Sequence, residues 1–236
     1  ENQLDVSADQ VVVTFGGKHA CYACCQALVD PGQKVLIPAP YWVSYTEMVR
    51  LAGGEPVILP TSPASGFKIR PEQILAPRDA RAIFLNSPSN PTGVTYTPRE
   101  LKAIADAVLQ TDMVVFSDEI YEKLVYRGTE FVSFASLDPR LPERTITLNG
   151  LSKTFSMTGW RLGWAVGPKE AIGAIRRLMS HETTDPVSFA VAGALAAYTS
   201  PLAGPEVEKM RLEFEERGSH MHQRLAALPG VTSVEP

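Results

Sequence analysis

Lys153 is the residue of this sequence whose surroundings most favour chemistry. It lies within Asn149-Gly150-Leu151-Ser152-Lys153-Thr154-Phe155-Ser156-Met157-Thr158-Gly159-Trp160-Arg161-Leu162-Gly163. Apolar runs over 145–148 and 162–166 flank that stretch and read as buried strands. Its neighbours are hydroxyls and glycines rather than other charges, which is not the setting of a solvating surface lysine. Ser152, Thr154 and Ser156 offer short donors, and Arg161 offers a planar fork able to grip two oxygens of one phosphate.

A phosphate grip beside a partly desolvated lysine suits pyridoxal phosphate (PLP), whose aldehyde a lysine holds as a Schiff base. The plain alternative is a polar loop with an incidental lysine. A second anion site is suggested at Gly16-Gly17, between a predicted strand over 11–14 and a helix over 19–29. Helix-start amides lack intrahelical acceptors, and paired glycines put no Cβ in the way. The pair is weak evidence alone, and it does not match the G-x-G-x-x-G dinucleotide fingerprint.

The elements that must carry these residues alternate. Strands are predicted over 11–14, 34–38, 55–59, 81–86 and 113–117, besides the two around Lys153. Helices are predicted from beyond Trp42 to about Ala52, over 98–110 with Thr97 as cap, over 168–180 and over 186–198. A long helix over 205–228 has Val207, Met210, Phe214, Met221 and Leu225 on its apolar side. Near-continuous apolar strands between helices indicate an α/β fold: a mostly parallel sheet with helices on both faces, three layers in all. Ligands of such folds collect at the carboxyl ends of the strands. Gly17, Trp42, Asn90, Asp118 and Lys153 all fall at or just past such ends. The stretch 129–143 is expected to be a surface excursion.

Composition narrows the function classes. With 236 residues the chain can bury a full core, and 44% hydrophobic with 20% charged residues is ordinary for a soluble protein. A net charge of −4 and no basic cluster argue against a nucleic-acid footprint. No apolar run is long enough to span a bilayer and no signal-peptide pattern opens the chain, so a cytoplasmic protein is expected. Cys21, Cys24 and Cys25 make neither a disulfide framework nor a metal set, and are expected as small core residues on a buried helix face. Both ends look cut: 1–4 reads as the tail of a helix, and 229–236 enters what reads as a strand. Gly218-Ser219-His220-Met221 looks like a tag scar but continues the helical pattern.

In this order and spacing the motifs resemble class I aminotransferases, the fold-type-I PLP enzymes, and most of all their aspartate aminotransferase branch. The resemblance runs from about Val11 to Leu228. It is carried by Gly16-Gly17-Lys18, Pro40-Tyr41-Trp42, Asn86-Ser87-Pro88-Ser89-Asn90-Pro91-Thr92-Gly93, Ser117-Asp118-Glu119-Ile120-Tyr121, Ser152-Lys153 and Gly159-Trp160-Arg161-Leu162-Gly163. It implies PLP on Lys153 as a Schiff base, with the freed amine later moving the substrate's Cα proton; burial is what would let that amine act as a base. Asp118 would face the pyridine nitrogen, its other reading being a helix cap. Tyr121 and Asn90 would hydrogen-bond the cofactor's phenolic oxygen. Trp42 would stack on the ring, and with Asn90 border the substrate. The amides at Gly17 and Lys18, the Ser152 hydroxyl and a buried Arg161 would bind phosphate.

The resemblance also implies an amino-acid donor such as aspartate, a 2-oxoacid acceptor such as 2-oxoglutarate, and a homodimer. Residues 1–204 would form the PLP-binding large domain, and 205–236 the helix leading into a small C-terminal domain beyond this sequence. The family's arginine for the substrate α-carboxylate belongs to that domain, so no residue here takes its role. Two alternatives remain open. One is another fold-type-I enzyme, a β-lyase or one like aminocyclopropane-carboxylate synthase; the other is a PLP-binding effector domain of a transcription regulator.

Overall fold

A computed structural model describes residues 2, 4–77, 79–126 and 128–234. Seven strands form one sheet: β1 (Val11–Thr14), β2 (Lys34–Pro38), β3 (Glu55–Leu59), β4 (Ala80–Asn86), β5 (Val114–Asp118), β6 (Thr145–Gly150) and β7 (Gly163–Val166). Their order is β1-β7-β6-β5-β4-β2-β3, and β7 alone runs against the others. The eight α-helices among the described residues are α1 (Gly17–Leu28), α2 (Ser44–Leu51), α3 (Pro71–Leu75), α4 (Pro98–Val108), α5 (Leu151–Thr154), α6 (Lys169–Glu182), α7 (Ser188–Thr199) and α8 (Ala203–Ala226).

Side chains alternate across a strand, and here each face meets its own helix layer. Val35, Ile37, Ala82, Phe84, Phe116, Ile146 and Leu148 pack with residues of α1, α2 and α6. Leu36, Ile83, Leu85 and Val115 pack with Leu101, Ile104 and Val108 of α4 and Ile74 of α3. The expected three-layer α/β/α arrangement is therefore what the chain forms. Cys21, Cys24 and Cys25 are free and buried in the first of these cores. The α4 start is a capping box: Thr97 Oγ1 accepts from the Glu100 amide at 3.3 Å, and Glu100 accepts from the Thr97 amide at 2.7 Å.

Several expectations are corrected. The stretch 129–143 is no mere surface excursion, because Ser133, Phe134, Ala135 and Leu141 are all buried. A strand does not form over 231–234, and Asn2 and Leu4 lie in no helix; Glu1, Gln3, Glu235 and Pro236 lie outside the described residues. The apolar side of α8 is not buried either: Phe214, Met221 and Leu225 are exposed, since little of the described chain besides α7 packs along that helix. Gly218 to Met221 are helical.

Candidate active site

The parallel strands β4, β5 and β6 end at the same level because Asn86 pairs with Asp118, and Asp118 with Leu148, in register. The residues at and just past these carboxyl ends make the floor of one cavity of about 230 Å³. Gly17, Lys18, Trp42, Asn90, Asp118, Tyr121, Ser152, Lys153 and Arg161 all line it. The structure thus brings these nine together, but not Thr154 and Ser156: Thr154 is buried and borders a neighbouring cavity, and the Ser156 hydroxyl lies against Met210 Sδ of α8. It adds Tyr45, Asn86, Ile120 and Thr158, which sequence reasoning missed. Tyr45 carried a signal, since it lies three residues after Trp42 at a helix start.

Asp118 is buried at the bottom. Its Oδ2 accepts the Tyr45 hydroxyl at 2.5 Å and lies 3.9 Å from Cys21 Sγ. Its Oδ1 accepts the Ile120 amide at 3.2 Å, so the cap-like reading is also real, but it uses one oxygen only. Burial pushes the carboxyl above its usual range, while the Tyr45, Ile120 and Cys21 donors pull it back down. These partners are all neutral. An anion buried among neutral donors is a fitting neighbour for a cationic ring nitrogen.

Asn86 sits beside Asp118 as a brace. Its Nδ2 donates to the Asp118 carbonyl at 2.9 Å, and its Oδ1 accepts the Asn90 amide at 2.8 Å. Asn90 in turn hydrogen-bonds the Tyr121 side chain, which opposes the upward push that burial and the nearby Asp118 charge give that phenol. Lys153 is half-buried, its Nζ 5.8 Å from the centre of the Tyr121 ring. Among the described residues no ion pair joins it to a carboxylate.

The Gly16–Gly17 end of the cavity is built by close backbone packing. Gly16, at φ +86°, precedes α1, and a Cβ on Gly163 would come within 2.5 Å of Gly16 C and Gly17 N. Only glycine lets β7 pass so near the helix start, whose first amides open on the cavity. Arg161 crosses the same entrance, but it is exposed rather than buried as expected. It needs no buried counter-ion: its guanidinium donates to the Thr158 and Phe15 carbonyls at 2.7 and 3.4 Å. Neutral acceptors leave its charge available to an anion. The Lys18 ammonium is exposed and lies 5.0 Å from the Trp42 ring centre. A buried carboxylate, an unpaired ammonium and an uncompensated guanidinium around one cavity fit PLP.

The whole chain, residues 1–236, matches the family described as aminotransferase class I and II. The chain belongs to that family. It is 48% identical to the aspartate aminotransferase of Geobacillus stearothermophilus over 99% of its own length and 59% of the relative's. It is 42% identical to the aspartate/prephenate aminotransferase of Thermus thermophilus, across 100% of this chain and 61% of that one. The crystal structure of the Rhizobium meliloti aspartate aminotransferase superposes with a TM-score of 0.94 at 35% identity, covering 98% of this chain and 58% of the other. The chain therefore spans about six-tenths of the length of these relatives. Class I and II aminotransferases depend on PLP, so the cofactor inferred from the residues and that of the family agree. Among the described residues no group of side chains is placed to hold a metal, and no helix is long and apolar enough to cross a membrane.

Proposed function

We propose that this chain carries the cofactor-binding part of an aminotransferase that moves the amino group of aspartate, or a similar amino acid, to an oxoacid such as 2-oxoglutarate. The observation carrying this reading is the convergence of Lys153, Asp118 and Arg161 on one cavity without charged partners of their own. When bound, PLP supplies an electron-accepting ring that stabilises negative charge at the substrate Cα.

The chain's own residues do the rest. Lys153 Nζ is the covalent attachment point and afterwards the base that takes the Cα proton. Asp118 keeps a positive ring nitrogen neutralised, and the Tyr121–Asn90 pair donates at the ring's phenolic oxygen. Arg161, the Ser152 hydroxyl and the first amides of α1 bind the phosphate. Trp42 covers a ring face and excludes water. Trp42 and Asn90 also border the substrate.

Residues 1–204 form the cofactor domain in this reading, and 205–236 the helix leading away from it. A homodimer and a cytoplasmic setting belong to the same proposal. Prephenate is a rival acceptor because one relative is named for it. The test is an assay of the full-length protein with aspartate and 2-oxoglutarate. Oxaloacetate should form, and its absence with PLP bound would overturn the aspartate assignment.

A further inference from the structure

The Asp118 carboxylate has a partner on the opposite helix layer that no sequence motif names. Tyr45 lies one turn into the segment following Trp42, fully buried, and its hydroxyl reaches Asp118 Oδ2 at 2.5 Å. Its ring cannot swing away. It stacks on Phe84 with centroids 4.3 Å apart and planes at 21°, while Trp42 meets it edge-on at 5.4 Å. Phe84 is itself braced by Phe116 at 5.1 Å. One phenol is thereby fixed as a donor to one carboxylate oxygen, inside the cavity wall.

We propose that Tyr45 is a positioning residue that sets the proton affinity and orientation of Asp118, with Cys21 as a weaker helper on the same oxygen. This rests on the cofactor reading above. Three features support it. The bond is short and the carboxylate is the acceptor, so it belongs to the stronger class of charge-assisted hydrogen bonds. The phenol's own ionisation is pushed well above the ordinary tyrosine range, chiefly by burial and then by the Asp118 charge, so it remains a donor throughout the working pH range. Cys21 is likewise held as a thiol by burial and by Asp118, and an S–H is a weak donor. The other ionisable groups facing this carboxylate are Tyr121 and, across the cavity, Lys153, Lys18 and Arg161. A carboxylate whose negative charge is trimmed by a fixed donor shares the ring proton less readily, so it leaves the ring nitrogen more fully protonated.

The test separates this proposal from the cofactor reading. In the full-length protein freed of cofactor, the Asp118 carboxyl is titrated by NMR with 13C-labelled aspartate and assigned with Asp118→Asn. Tyr45→Phe keeps the stacked ring and deletes the donor, so the Asp118 midpoint should rise by about one pH unit. An unmoved midpoint overturns the proposal. Cys21→Ala should raise it less, and an equal or larger rise would overturn the primacy of Tyr45. Should Tyr45→Phe fail to fold, 3,5-difluorotyrosine at position 45 keeps the shape and strengthens the donor, and the midpoint must then fall.

With PLP added, Tyr45→Phe should raise the pH midpoint of the bound cofactor's near-visible absorption and lower kcat about tenfold, with little change in KM. A purely structural role would lower Tm and move neither midpoint. If unaltered protein yields no pyridoxyl adduct on Lys153, the cofactor reading fails, while the cofactor-free titration still decides the role of Tyr45.

Discussion

Glu119 and Phe134 are tied together inside the molecule: the Phe134 amide donates to Glu119 Oε1 at 3.0 Å, and the Phe134 ring is buried against the core around α4. The same oxygen accepts the Ser117 and Ser133 hydroxyls at 2.9 and 3.0 Å. The residue after Asp118 thus anchors the 129–143 connection to the end of β5.

That buried carboxyl makes stability depend on pH. Burial, aided by the Glu122 charge, pushes Glu119 up to about 7 from an ordinary 4.5, against three hydrogen bonds that lower it. A raised acid holds its proton in the folded state after the unfolded chain has lost it. Stability should therefore fall as pH rises from about 4.5 to about 7, and level off above that. Glu119→Gln keeps an oxygen for the three donors and should flatten that slope, a change of a few kcal/mol at most. Tm measured across the window, for both proteins, checks it.

Removing the proposed attachment point should be decisive. Lys153→Ala in the full-length protein should abolish borohydride-trapped pyridoxyl adducts and cut transamination by about a thousandfold or more. Peptide mass mapping and a turnover assay read the two effects separately. Normal turnover by the variant would remove Lys153 from the chemistry.

Arg161 is exposed and held by carbonyls, so its loss costs the fold little. Arg161→Ala should leave Tm within about 1 kcal/mol equivalent of the parent, because surface changes are usually small. PLP should bind about ten- to a hundredfold more weakly, as expected for one lost charge-assisted contact. Fluorescence titration with PLP measures this. Unchanged affinity would place the phosphate elsewhere.

Gly163→Ala tests the backbone packing that shapes the Gly16–Gly17 end of the cavity. The added Cβ would meet the Gly16–Gly17 backbone at 2.5 Å, which no side-chain rotation relieves. Overpacking of this kind costs about 1–3 kcal/mol, and it should also displace the α1 start and weaken PLP binding. Denaturant midpoint and PLP affinity should fall together; a fall in neither would show that β7 can shift without cost.

Thr97→Ala supplies a contrast remote from the cavity. Deleting the cap of α4 should cost about 1 kcal/mol in chemical denaturation and leave PLP affinity unchanged.

The strands, most helices and, through the family-like motifs, nine of the cavity residues were legible in the sequence. Those features are local: apolar runs of strand length, Thr97 with Glu100 at capping spacing, and polar residues placed just past each strand's end. Its errors came where distant residues decide the environment. Arg161 is expected to be buried in its phosphate-binding role, yet the chain turns at φ +53° there and leaves it at the rim. The stretch 129–143 reads as solvated, yet Glu119 draws Ser133 and Phe134 inward. The apolar side of α8 reads as core, yet too little of the described chain lies against it to bury it. The Tyr45–Asp118 bond joins residues 73 positions apart, and it forms only once α2 packs on β2 and β3 beside β4 and β5 in the sheet. Periodicity specifies which face a side chain takes on its own element; which group stands opposite is settled when the layers pack.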